Sequence, residues 1–363
     1  MAVSFAFPTS ILFGPGTICE ASARLAALGG KNPLVVTDAG LISTPAFANA
    51  MSALGKREVF SGVQSNPTAA NVDAAVTAFT SHQCDSVIGL GGGSALDVAK
   101  VVRLRMKRPD WNLNQPPPDS PGSLAPFIAI PTTAGTGSEV GRSSVITIDQ
   151  QKRVIFHPSL LANLVVLDPE LTVDLPAKLT AATGADALTH CIESFTSPTF
   201  HPLCDGVALE GIHLITKALP RAVKNPHDIN ARGEMLVAAT MGGIAFQKDL
   251  GAAHALAHPL SAICGVHHGL ANALVLPTVM KFNSERKPGL YARVATAMGE
   301  AEPIGAVEAL FRDIGIACGL SQHGVNESHL NALADQAFAD SCHQTNAVPV
   351  TRDHLYQMYQ EAM

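Results

Sequence analysis

The stretch GAAHALAHPLSAICGVHHG, Gly251–Gly269, packs four of the chain's 14 histidines into an otherwise apolar segment. A buried imidazole has to spend its ring nitrogens on a partner, because an unpaired polar group in an apolar interior costs a few kcal/mol. Any fold this chain adopts must therefore bring partners or an ion to several imidazoles at once. His254 and His258 stand four apart, hence on one face of a helix. Upstream, GADALTHCIE (Gly184–Glu193) repeats that spacing with Asp186 and His190. A single Asp/His pair at this spacing is most simply a satisfied hydrogen bond. Two such clusters on apolar helices, with His268 ten residues beyond His258, favour a divalent ion in a bundle interior. The donors are imidazole nitrogens and one hard oxygen, without thiolate, which suits Fe2+ or Zn2+ and disfavours Mg2+ or Ca2+. Spacing alone leaves open whether His254 or His258 is the ligand. Cys191 and Cys264 read as small core fillers, Cys191 facing away from Asp186 and His190.

The chain's 363 residues exceed the size at which one core stops growing, so two domains are expected. Hydrophobic residues at 47% against 15% charged residues indicate large buried cores. A formal charge of −6 argues against a nucleic-acid or anionic-membrane surface, and the one basic run, RLRMKRP (Arg103–Pro109), reads as the solvated end of a helix. Seven cysteines without a C-x-x-C pair read as reduced thiols in a cytoplasm. The N-terminal MAVSFAFPTSILFGPG lacks a basic leader and is broken by Pro8 and Pro15, so it reads as a strand and a turn. No apolar run is long enough to span a bilayer. These features predict a soluble, cytoplasmic protein with neither membrane nor nucleic acid as partner.

Up to about Leu175–Pro176 the pattern alternates. NPLVVTDAG, CDSVIGLGGGS, APFIAIPTTAGTGSE and ANLVVLDPEL read as buried strands, with TPAFANAMSALG and NVDAAVTAFTSHQ as helices between them. That alternation predicts a mostly parallel sheet covered on both faces. NQPPPDSPGS (Asn114–Ser123) is too proline-rich for either element and reads as a surface loop. Beyond the boundary the apolar spacing becomes helical throughout. The expected fold is an α/β N-terminal dinucleotide-binding domain with a parallel sheet, residues 1–176, and an all-α C-terminal metal-binding domain, residues 177–363.

The dinucleotide reading rests on three strand ends. GLGGGSALDVAK follows a strand and opens a helix. Gly91, Gly92 and Gly93 let backbone approach phosphates, and the helix start supplies free N–H groups and a positive dipole end. Ser94 reads as the helix cap, with Asp97 completing a capping-box-like pair. The motif is neither G-x-G-x-x-G, since Leu96 holds the third glycine position, nor a P-loop. The second loop, PTTAGTGSE (Pro131–Glu139), offers hydroxyls and free amides suited to a ligand, and both loops should share one edge of the sheet. Asp38, at the end of LVVTD, can accept a ribose diol and would repel a 2′-phosphate, favouring NAD over NADP; it suits a turn before Ala39–Gly40 equally well.

At these residues the chain resembles the iron-containing alcohol dehydrogenase family. FPTSILFGPGT, VVTDAG, GGGSALDVAK, IPTTAGTGSEV, GADALTHCIE, GAAHALAHPL and HHGLANALVLP all fall in the family's order over nearly the whole chain. The resemblance implies a dinucleotide-binding domain, a helical domain of the kind shared with dehydroquinate synthase, and an active site in the cleft between them. It implies that Asp186, His190, His254 and His268 hold the metal, iron first and zinc second, and that His258 contacts the substrate or nicotinamide without ligating. It implies that Gly91 to Ser94, Asp97, Thr132, Thr133 and Ser138 line the NAD cofactor, with Asp38 at its adenosine end. The activity it implies is hydride transfer between a metal-activated short primary alcohol, or its aldehyde, and NAD(H), in a homodimer. His258 is the candidate to relay the proton.

The chain departs from the family pattern at His267, expected to face solvent, and in WNLNQPPPDSPGS, which lacks the Asp-Tyr motif many members carry there. Arg142 hints only weakly at an acidic substrate. The rival reading on the same scaffold is hydroxyacid–oxoacid transhydrogenation, or dehydrogenation of a diol or hydroxy acid.

Overall fold

In the first half the elements are β1 (Ser10–Phe13), α1 (Ala21–Ala27), β2 (Pro33–Asp38), α2 (Pro45–Leu54), β3 (Glu58–Val63), α3 (Ala69–Ser81), β4 (Ser86–Gly91), α4 (Gly93–Lys107), β5 (Phe127–Pro131), β6 (Ser143–Ile148), β7 (Gln151–Phe156) and β8 (Leu164–Leu167). The computed structural model describes residue 7, residues 9–149 and residues 151–363. The N-terminal apolar stretch forms β1 from Ser10; its residues 1–6 and 8 lie outside the described residues.

Six strands pair in parallel in the order β1-β8-β5-β4-β2-β3. Covered on both faces, β4 and β5 are buried at every position, which is why SVIGLG and FIAIP show no polar alternation. Thr44 caps α2 ahead of Pro45, and Thr68 with Asn71 makes a reciprocal capping box on α3. After β2 the chain moves outward to β3, whereas after β4 it moves the other way to β5. The crevice where connections diverge lies at the carboxyl ends of β2 and β4, where open α/β sheets bind ligands.

Three of the strands were not expected from the sequence. The edge strand β3 carries Glu58 and Gly62, which mask its apolar run. The strands β6 and β7 form an antiparallel hairpin outside the main sheet, with Asp149 at φ 49 in the turn. The basic run is also corrected. Arg103 is 3% exposed, its Nε donating to Ala125 O at 2.7 Å, so only the last turn of α4 is solvated.

The second half is helical: α5 (Ala177–Thr196), α6 (Pro202–Lys224), α7 (Ile229–Ala245), α8 (Ala252–Cys264), α9 (His268–Arg286), α10 (Ala292–Met298), α11 (Pro303–Asp313), α12 (Leu330–Ala339) and α13 (Arg352–Glu361). Helix α5 is buried at every position from Thr180 to Ser194, so it is the bundle's core helix. Leu188 and Ile192 on it pack with Ile212, Ile215 and Leu219 of α6 in one apolar cluster. Each such side chain contributes ~1.5–3 kcal/mol by burial. The histidine segment is two helices, because Gly265 at φ 68 ends α8 and His267 is extended.

The chain divides into two compact units at Leu175/Pro176, except that Ala134–Thr136 of the second loop belongs to the helical unit. No helix among the described residues is long and apolar enough to cross a membrane.

Candidate metal centre and nucleotide loops

Three helices of the second unit aim side chains at one point. Asp186 and His190 stand on one face of α5, His254 sits in the first turn of α8, and His268 opens α9. From Asp186 Oδ1 the Nε2 atoms lie at 3.9 Å for His190, 3.7 Å for His254 and 3.5 Å for His268. These separations are long for hydrogen bonds but match a coordination shell. A tetrahedral cation with ligands at about 2.1 Å has ligand–ligand edges of about 3.4 Å. Asp186, His190 and His254 are buried and make a group that could hold a metal ion. The side chain of His268, 30% exposed, is the open side. Three nitrogens and one carboxylate at these distances fit Fe2+ or Zn2+.

The local sequence explains the convergence. Gly269 follows His268 because a Cβ there would run into the Ala182 carbonyl of α5; only glycine lets the start of α9 press that close. Gly251 precedes α8 for a similar reason, since a Cβ would stand 2.7 Å from Glu193 Oε1. Burial pushes the Asp186 carboxyl up, but His190, His268 and His254 outweigh it and hold it well below the usual carboxylate range. Burial pushes His190 down to about 4 and His268 well below its ordinary value. His254 rises to about 9, because the carboxylates of Asp186 and Glu193 overcome its burial.

Three supporting residues were missed at the sequence level. Glu193 accepts from Ala253 N at 2.6 Å and His254 N at 3.3 Å, capping α8, and its Oε2 lies 2.6 Å from His254 Nδ1. That contact keeps the Nδ1–H engaged, so the proton given up when a cation binds is the one on Nε2, which is then free to ligate, a standard outer-shell device. The signal was present, because Glu193 falls three and seven residues after His190 and Asp186 on the same helix face. Asn272, four residues after His268, carried the same kind of signal. Asp340 did not: it comes from just beyond α12, and only folding brings its Oδ2 to 2.7 Å from His258 Nδ1. His258 stacks on His268 with ring centroids 5.3 Å apart. His267 is exposed, as expected, and Cys191 is fully buried in the α5–α6–α7 packing.

In the first unit Gly91 ends β4 at φ 150, where a Cβ would lie 2.9 Å from Ala95 Cβ and 3.3 Å from Asp38 Oδ2. Gly92 faces Thr133, Gly93 opens α4, and Thr132 N donates to Gly91 O at 3.0 Å, joining the ends of β4 and β5. Asp38 makes the turn: its Oδ1 accepts from Gly40 N at 2.9 Å and Leu41 N at 3.0 Å, while Oδ2 takes no part in it.

The capping-box expectation for Ser94 and Asp97 is overturned. The N-cap is Gly92, Ser94 Oγ donates to Ser65 O at 2.8 Å, and Asp97 turns elsewhere. Asp97 accepts from Ser138 Oγ at 2.6 Å and Val145 N at 2.8 Å, and fully buried Lys100 donates to Ser138 Oγ at 2.7 Å. One helical turn into α4, Asp97 points at the second loop, so it ties the two loops together. Arg142 lies 5.4 Å over the Phe156 ring.

Against known proteins, residues 8–169 match the iron-containing alcohol dehydrogenase model, and residues 180–363 match that for the C-terminal part of the Fe-containing alcohol dehydrogenase family. A 4-hydroxybutyrate dehydrogenase of Cupriavidus necator is 36% identical over 96% of both chains. The structure of a 1,3-propanediol oxidoreductase superposes with a TM-score of 0.95 at 34% identity, covering 100% of both chains. A sulfoacetaldehyde reductase from Bifidobacterium kashiwanohense, solved in complex with NAD+, gives 0.91 at 31% identity over 100% of this chain and 99% of that one. With both halves matched and the fold shared end to end, the chain belongs to the iron-containing alcohol dehydrogenase family.

Proposed function

We propose that this enzyme interconverts a short primary alcohol and its aldehyde with NAD(H), using a divalent metal held by Asp186, His190, His254 and His268. The observation that carries the reading is the set of three Nε2 atoms 3.5–3.9 Å from one Asp186 oxygen. When bound, the cation supplies Lewis acidity toward an alcohol or carbonyl oxygen, and NAD supplies the hydride acceptor.

The chain's own residues do the rest. Glu193 keeps the Nδ1–H of His254 engaged, so its Nε2 lone pair stays directed at the site. Asp340 does the same for His258 Nδ1, leaving Nε2 free to take the proton of a substrate hydroxyl. The His258 side chain is 34% exposed, which gives that proton a route to solvent. In the first unit, Gly91, Gly92 and Gly93 with the N–H groups opening α4 would cradle the pyrophosphate, beside Ser94, Thr132 and Thr133. Asp97 and Ser138 act in this reading by framing that pocket. Asp38 Oδ2 is available to a ribose diol, supporting NAD over NADP.

Iron is the first choice of metal and zinc the second. Seven free cysteines are consistent with a reducing cytoplasm, and a homodimer belongs to the same reading. A second reading, oxidation of a hydroxy acid or transhydrogenation to an oxo acid, is favoured by the 4-hydroxybutyrate dehydrogenase among the relatives. The test is elemental analysis of fresh protein with a panel of alcohols, hydroxy acids and aldehydes against NAD(H) and NADP(H). Metal near one per chain and NADH released from simple alcohols are expected. NAD that stays bound while an oxo acid is reduced would establish transhydrogenation instead, and full turnover without metal would overturn the centre.

A further inference from the structure

Asn272 lies on α9 one turn after His268 and is completely buried. Its Nδ2 lies 2.8 Å from Asp186 Oδ1, 3.2 Å from His254 Nε2 and 3.3 Å from His268 Nε2. One amide nitrogen thus touches three of the four atoms assigned to the metal. On its other side, Asn272 Oδ1 is buried without a hydrogen-bond partner among the described residues. The orientation follows from chemistry: the ionised Asp186 carboxylate can only accept, so the NH2 end must face it. Leaving a carbonyl oxygen orphaned costs about 1–3 kcal/mol, so an asparagine kept here for packing alone would be a poor choice beside leucine.

We propose that Asn272 is the positioning residue of the metal centre, its two N–H bonds holding Asp186 Oδ1 and His268 Nε2 in ligating geometry, against His254 Nε2, before an ion arrives. The lone pairs decide what happens on loading. An imidazole Nε2 that ligates has no lone pair left to accept a hydrogen bond, whereas Asp186 Oδ1 has a second one. Asn272 therefore keeps its bond to Asp186 in both states and releases His268. This makes Asn272 distinct from Glu193, which holds only His254 and does so from the outer side.

The inference rests on the proposed ligand set, and its test separates the two. Zinc affinity is measured by chelator competition on the full chain for the wild type, Asn272→Leu and Asn272→Ser, with the melting temperature of each metal-free protein recorded. Asn272→Leu keeps the branched shape with added bulk and no donor, and is expected to bind zinc about 10–100-fold more weakly, as outer-shell losses do. Asn272→Ser keeps a shorter donor and is expected to fall between Leu and wild type; Asn272→Ala, which removes the donor without added bulk, stands as the test if the leucine variant does not fold. Wild-type zinc affinity in Asn272→Leu, or in Asn272→Ala should that variant be needed, overturns the role of Asn272 alone. A wild-type chain that takes up neither zinc nor iron overturns the ligand set and this inference with it.

Discussion

At the ends of β2 and β4 the first unit offers backbone: a glycine at φ 150, two more glycines, and the opening amides of α4. The second unit offers four side chains from α5, α8 and α9, three imidazole nitrogens standing 3.5–3.9 Å from one Asp186 oxygen. A backbone site tolerates many side chains but few backbone conformations, so it is vulnerable to an added Cβ. A side-chain site is the reverse: each ligand is irreplaceable, while its glycines serve only to let helices approach. The two kinds of site should therefore fail differently.

The largest effect belongs to the ligands. Asp186→Ala or His268→Ala removes one of four donors, and metal content and turnover are expected to collapse together. A cation is worth several kcal/mol of transition-state stabilisation, so kcat should fall about 10³-fold or more. NAD binding, followed by quenching of protein fluorescence, should persist. A variant that keeps its metal, or loses NAD instead, breaks the division of labour between the units. Next comes Glu193→Gln, which keeps the shape of the α8 cap but withdraws a buried charge from His254. Metal affinity measured by chelator competition should drop about 10–100-fold. Gly91→Ala is the counterpart in the first unit. Its Cβ would meet Ala95 at 2.9 Å in a conformation only glycine takes easily. Strain of about 2 kcal/mol corresponds to about 30-fold in the KM for NAD, with metal content unchanged.

The same contrast explains what was legible in the sequence. Asp186 with His190 and His254 with His258 stood out because helical spacing projects each pair onto one face, and His268 followed ten residues on. The resemblance was still needed to set His258 aside, since its partner Asp340 lies 82 residues away in the chain. The dinucleotide reading was drawn from the glycines of the two loops, but the side-chain partners within them were not foreseen. Ser94 and Asp97 have the spacing of a cap, yet the helix begins two residues earlier than that spacing needs, and Asp97 turns to Ser138. Local rules cannot foresee a tertiary partner. The hairpin β6–β7 was missed for a related reason: it packs outside the main sheet, and in β7 only Ile155 is buried.

A smaller effect tests whether Asp38 discriminates between cofactors. Asp38→Asn keeps an oxygen that can accept from Gly40 and Leu41, so the turn survives. It removes the charge that would repel a 2′-phosphate. The preference for NAD over NADP, as a ratio of kcat/KM, should narrow about tenfold, the worth of one hydrogen bond to a charged group. An unchanged ratio would leave Asp38 as a turn residue only.

The smallest effect lies in the first unit, away from either site. Asp85 accepts from Lys31 N and Asn32 N and from Ser86 Oγ at 2.7 Å, tying the start of β2 to that of β4. Burial pushes its carboxyl up, but the bonds from Ser86, Asn32 and Lys31 outweigh that and lower it below the ordinary value. A carboxyl lowered by folding stabilises the fold at pH above its unfolded value of about 3.9, and that contribution disappears as pH falls through the lower folded value. Asp85→Asn should therefore lower the urea midpoint of metal-free protein at pH 7, and the gap to wild type should shrink as the pH is taken below the ordinary carboxylate value and on through the lowered one. Because Asp85 is largely exposed, the gap is small, and metal content should not move at all. A gap of equal size across that pH range would mean that shape, and not the carboxylate's charge, joins the two strands, and the first unit would then owe its frame to backbone as fully as its site does.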